Sequence, residues 1–114
     1  MSREKLCQQF LRAAATLVRR VGLARGIRKN LRGQVCMLGA MDYCGISIGL
    51  YERSRINEHL ASLLPPITTV VMDDYNGSVH PDSVPASKIA YWSNMVAKNE
   101  REVADMLEKA AERC

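Results

Sequence analysis

The groups with chemistry to offer in this sequence are four cysteines, two histidines and a dense run of cations. Cys7, Cys36, Cys44 and Cys114 show no CxxC pairing, so neither a structural zinc site nor a dithiol redox motif is indicated. A cysteine nucleophile needs a base within hydrogen-bond reach. Nothing in the spacing sets His59 or His80 beside Cys36 or Cys44, and thiols inside an apolar helix are desolvated and inert. A calcium loop registered on Gly77 has Asp74 and Asn76 in place, but Met72 stands at its first position and Ser83 at its twelfth, where a bidentate Glu is required. The phosphate-cradling patterns GxxxxGK[ST] and GxGxxG are absent. Gly33-Gln34 offers backbone N–H groups to an anion beside Arg32. No acid and base pair, so the chain reads as a non-enzyme that uses no metal and no cofactor.

The charge is divided at mid-chain. Residues 1–57 carry eleven basic and three acidic side chains, a net of +8; residues 58–114 carry five basic and nine acidic, a net of −4. Arg19, Arg20, Arg25, Arg28, Lys29 and Arg32 run together with no acid among them. Such a field attracts an anionic partner and speeds its approach. An acidic protein fits it, and so does a nucleic-acid backbone. The patch has no stacking aromatics. The apolar helix that follows has almost no polar side chains to reach base edges, which excludes sequence-specific readout. The seven-residue spacing of Lys5, Arg12 and Arg19 reads as a solvated face, and cations near the end of the first helix also suit its dipole.

The elements positioning these groups follow from apolar spacing. Length limits the chain to one domain, residues 1–114. A 5% aromatic content leaves the core to Leu, Val, Ile, Met and Ala. We expect a mostly α fold, a compact bundle of about four to five helices around a buried central helix. The first spans 4–21, with Leu6, Phe10, Ala13, Ala14, Leu17 and Val21 inward, and stops at Gly22. The central helix runs from Val35 to Cys44. Gly39 within it implies a close crossing by another helix, and Cys36 and Cys44 lie too far apart for a disulfide. Residues 45–50 form a short strand or a connector. A helix follows from Glu52 to Leu64, with Ser54 as a cap, and Pro65-Pro66 ends it. Residues 67–72 either pair with 46–50 as a two-stranded ribbon or begin a helix. An irregular surface loop covers 73–85. A short helix from Pro85 to Ser93 buries Ile89 and Trp92. The closing helix starts at an Asn99 cap with Glu102. It turns Val103, Met106, Leu107, Ala110 and Ala111 inward and pairs Asp105 with Lys109 outside. Cys114 either continues that inner face or is an exposed thiol that dimerises in air.

No stretch approaches the roughly 18 apolar residues of a membrane span. Lys5, Arg12 and Arg19 interrupt the N-terminus too often for a signal peptide. The expected setting is therefore the cytoplasm without membrane association, where all four cysteines are free thiols.

With these residues laid out, the pattern resembles an uncharacterised family of small proteins from actinobacteria and their phages. The likeness rests on the Ala-rich first helix, on Gly33-x-Val35-Cys36-Met37-Leu38-Gly39-Ala40, on Trp92 with Asn94 close by, and on the closing Glu102-Val103 to Leu107 to Ala110-Ala111. Relatives tend to carry Trp-Asn-Asp where this chain has Trp92-Ser93-Asn94, and an aromatic where it has Leu23. The resemblance implies a phage or mobile-element accessory protein in a bacterial cytoplasm. Three readings follow: an interaction protein docking an acidic partner through Arg19, Arg20, Arg25, Arg28, Lys29 and Arg32; non-specific nucleic-acid binding through the same surface; or a pocket for a nucleotide-like ligand near Trp92, Asn94 and Arg32, against residues 33–40.

Overall fold

Apolar residues at three- and four-residue steps fold this chain as helices that bury each other's stripes. The computed structural model describes residues 3–66, 71–73, 77–79 and 84–114. Among them are five α-helices: α1 (Arg3–Val21), α2 (Met37–Tyr43), α3 (Leu50–Leu63), α4 (Pro85–Tyr91) and α5 (Glu100–Glu112). A π-helical turn, Trp92–Val96, continues α4, and β1 (Val71–Asp73) pairs antiparallel with β2 (Gly77–Val79). The expected mostly helical bundle is what forms.

The principal pairing is α1 against α5. Phe10, Leu11, Ala14, Ala15 and Val18 are buried on α1, and Val103, Ala104, Leu107, Ala110 and Ala111 on α5. The stripe on α1 is turned about one residue from the expected one: Leu6, Ala13, Leu17 and Val21 are only half-buried. The cause is that α1 is covered by α2 as well as α5, so its buried arc is centred between two neighbours. On α5 the stripe is as expected, except that Met106 stays half-buried. Arg19 meets Asp105 and Glu108 at one end while Cys7 meets Cys114 at the other, so the two helices run antiparallel.

The central helix is shorter than the sequence suggests. Val35 makes bridges with Leu23 and Lys29 and so stays extended. Cys36 then caps α2, its Sγ accepting from the Gly39 N–H at 3.4 Å. Met37, Leu38, Ala40 and Met41 are buried as expected, but Tyr43 emerges exposed and Cys44 half-buried. Gly39 does serve a close approach, though to a loop: a Cβ there would lie 1.7 Å from the Arg28 carbonyl oxygen. No side chain fits that gap.

Other expectations need correction. Helix α3 starts at Leu50 with Gly49 as its cap, leaving Ser54 inside the helix. Residues 46–49 form no strand. Val71 and Met72 pair instead with Val79 and Ser78, so this antiparallel pair replaces the ribbon with 46–50 and enters the span expected as irregular loop. Residues 67–70, 74–76 and 80–83 lie outside the described residues. Asn99 caps α5 by accepting from the Glu102 N–H at 3.0 Å, as expected. Asp105 turns to Arg19 across the helix interface, where the sequence suggested local pairing with Lys109.

Cys7 and Cys114 form a disulfide, with Cα atoms 6.0 Å apart, while Cys36 and Cys44 are free. The expectation of four free thiols, and of Cys114 as an unpaired one, is thereby corrected for one pair. A contact 107 residues apart leaves no trace in local spacing.

Replacing Gly39 by Ala is expected to cost about 3 kcal/mol, since the backbone at Arg28 has to move. Gly49→Ala, whose added Cβ meets nothing within 4 Å, is expected to cost about 1 kcal/mol or less. Paired urea denaturation curves check both values.

Candidate docking surface

Between α1 and α2 the chain makes a bonded finger. At its base the Val35 N–H donates to the Gly22 carbonyl (3.1 Å) and the Ala24 N–H to the Val35 carbonyl (2.9 Å). Higher up, the Cys36 N–H donates to the Arg28 carbonyl (3.2 Å) and the Asn30 N–H to the Gln34 carbonyl (3.0 Å). The tip is a turn closed by the Gly33 N–H on the Asn30 carbonyl at 3.0 Å. Asn30 Oδ1 accepts from the N–H groups of Arg32 and Gln34, both at 3.0 Å. Asn is a natural residue here because its side chain folds back on its own turn. Gly33 has φ +81°, a conformation cheap only for glycine. These bonds consume the Gly33 and Gln34 N–H groups that the sequence offered to an anion.

The cation cluster separates into two groups. Arg19 reaches across to α5, bonding Glu108 Oε2 at 2.9 Å and Asp105 Oδ1 at 2.8 Å. Hydrogen bonding to Glu108 raises the Arg19 pKa above its ordinary value, and the same guanidinium lowers the Glu108 carboxyl below its own. Arg25 binds four carbonyls, those of Ser93 (3.4 Å), Asn94 (3.0 Å), Ala97 (2.7 Å) and Lys98 (3.1 Å). Arg28 pairs with Asp42, which also holds Arg53 at 2.8 Å. These three arginines serve the fold.

The second group faces out. Lys29 sits 4.8 Å above the exposed Tyr43 ring. Arg20 and Arg32 are exposed, and their side chains bond no other described residue. The finger that carries Lys29 and Arg32 also carries two apolar side chains that the charge pattern did not flag: Ile27 is 54% exposed, and Leu31 at the finger tip is fully exposed. The available signal was an apolar residue inside a turn, between Asn30 and Arg32. A rigid finger carrying an exposed Leu among cations can anchor in an apolar pocket while its charges meet carboxylates.

The Trp92-Ser93-Asn94 segment holds the finger and α2. Trp92 is buried at 3% exposure. The Ser93 hydroxyl, fully buried, accepts from the Met37 N–H at 3.0 Å and so satisfies the first turn of α2. Asn94 Oδ1 accepts from the Gly26 N–H at 3.0 Å. Asn94 also borders a cleft of about 300 Å³ with Cys36, Leu38, Ile27 and the small residues Ala86 and Ala90. Of the residues suggested for a nucleotide-like pocket, that cleft gathers Asn94 with Cys36 and Leu38, while Trp92 and Arg32 do not line it. Among the described residues no cluster of His, Cys, Asp or Glu is placed to hold a metal, and no helix is long and apolar enough to cross a membrane.

Residues 2–113 match the profile of a family of unknown function (DUF6197). The chain belongs to this family. Comparisons with curated proteins and with solved structures found no match. In this family member the motif residues therefore explain themselves physically: Gly39 admits the Arg28 carbonyl, Cys36 caps α2, and Trp92 fills the core.

Replacing Arg25 by Gln is expected to cost about 1–3 kcal/mol, because the carbonyls of the buried Ser93 and Ala97 lose their donor. Arg20→Gln and Arg32→Gln are expected to stay within about 0.5 kcal/mol of the parent. Glu108 sets a pH test. Its folded pKa lies below the unfolded one, so its contribution is complete above the unfolded pKa and fades as pH falls through the folded one. Glu108→Gln should therefore cost up to about 1 kcal/mol at neutral pH, a small value because the pair is part-exposed, and nothing in strong acid. Denaturation at a series of pH values measures this.

Proposed function

We propose that this protein is a non-enzymatic interaction module that docks an acidic partner protein through the outward cations of the finger and of the adjoining end of α1. Arg20, Lys29 and Arg32 provide the attraction, and Leu31, supported by Ile27, provides the apolar anchor. The observation that carries the reading is a fully exposed Leu31 on a turn whose backbone is already bonded. Holding the anchor in place before binding lowers the ordering cost of association. Arg19, Arg25 and Arg28 belong to the scaffold of the site, and their charge contributes to the field around it.

The proposal favours protein over nucleic acid because an apolar tip gains nothing from phosphates, and the exposed Tyr43 beside the finger already has Lys29 over its ring. The setting we propose is a bacterial cytoplasm, with the protein serving a phage or mobile element by inhibiting or redirecting a host factor.

The test is a pull-down from host lysate with the parent chain, the triple reversal Arg20→Glu/Lys29→Glu/Arg32→Glu, and Leu31→Asp. Both variants should lose the acidic partner while keeping the parent's helical circular dichroism. Undiminished capture by either folded variant contradicts the proposal. Titration of labelled duplex DNA, single-stranded DNA and RNA at two salt concentrations runs alongside. Salt-sensitive binding abolished by the triple reversal but retained by Leu31→Asp would point to the nucleic-acid reading instead.

A further inference from the structure

The Cys7–Cys114 bond ties the first turns of α1 to the second residue after α5, joining positions 107 apart in the chain. Both cysteines are half-buried, within reach of small thiols, whereas Cys36 is buried. The apolar faces of α1 and α5 meet independently of the sulfurs. The Arg113 N–H on the Ala110 carbonyl (3.2 Å) and the Cys114 N–H on that of Ala111 (3.3 Å) hold the terminal turn. His59 Nε2 lies 2.8 Å from the Ala110 carbonyl, joining that end of α5 to α3. The thiols of a reduced chain would therefore be held close together by packing they do not create. Such an arrangement opens and closes without refolding the molecule.

We propose that Cys7 and Cys114 form a reversible redox staple that sets how firmly the end of α5 is held on α1. The staple closes by exchange with a small-molecule disulfide such as oxidised glutathione. One cysteine thiolate attacks the glutathione disulfide, forming a mixed disulfide and releasing one glutathione thiolate. The second cysteine thiolate displaces the other, so two protein thiols are oxidised and one disulfide is reduced to two thiols, the protons passing to glutathione. Reduced glutathione reverses both steps. The inference rests on the proposed cytoplasmic setting only for its biological sense, since disulfides there are usually transient or sensory. Its readouts require no partner bound at the docking surface.

The experiment equilibrates the full chain in oxidised and reduced glutathione buffers, then measures alkylatable thiols, Tm and amide exchange. In oxidised buffer two thiols should alkylate under denaturing conditions, and in reduced buffer four. Tm should fall by roughly 10–20 °C on reduction, from the entropy released by so long a loop. Exchange should quicken at the end of α5 and the start of α1, and stay unchanged at the finger amides of Ala24, Val35 and Cys36. Cys114→Ser and Cys7→Ser should match the reduced parent in both buffers; the parent's own response stands if either variant fails to fold. Four alkylatable thiols in oxidised buffer would overturn the proposal, as would a Tm indifferent to redox state or uniform loss of protection across the finger.

Discussion

The Arg25 guanidinium ties the finger to the stretch between Trp92 and α5 with more hydrogen bonds than any other side chain that joins them. The turn Trp92–Val96 is wound as a π-helix, with the Ala97 N–H donating to the Trp92 carbonyl at 2.8 Å. The next carbonyls, at the break before α5, are the orphan acceptors of a helix end. Arg25 supplies donors to four of them from a residue about 70 positions earlier. A planar fork that stays charged suits this task better than any neutral donor. With the junction fixed, Asn94 is placed to accept from Gly26 and Ser93 from Met37. The finger and the start of α2 are thus held on that stretch by Arg25, Asn94 and Ser93 together.

The divided charge of the sequence acquires a second meaning from this geometry. A basic first half and an acidic second half partly complement each other within the molecule, most directly where Arg19 meets Asp105 and Glu108. Asp42, one of few acids in the basic half, is shared by Arg28 and Arg53. Internal pairing selects which cations remain outside. Of the cluster, Lys29 and Arg32 remain outside on the finger with the exposed Leu31, and Arg20 remains outside at the end of α1.

Local features of the fold were legible in the residues. Asn99 with Glu102 marked the start of α5, Gly22 the end of α1, and apolar spacing the buried positions of α2 and α5. Trp92 read correctly as a core residue. Gly39 announced a close approach but not its partner, because the spacing around a glycine does not say what crosses it. Partnerships across 68 to 107 positions stayed out of reach: Arg25 with its carbonyls, Arg19 with Glu108, Cys7 with Cys114. An arginine bound to backbone carbonyls looks in a sequence like any other arginine. For the candidate site, the loop and its cations were readable, whereas their division into structural and outward groups depended on tertiary contacts.

That division is the central claim, and the guanidinium protons report on it directly. NMR of 15N-labelled arginine side chains would measure hydrogen exchange at each guanidinium in the native protein. The account predicts slowed exchange and restricted rotation for Arg25 and Arg19, with Arg20 and Arg32 close to free arginine. Equal, fast exchange at all four would contradict it and return the whole cluster to the surface.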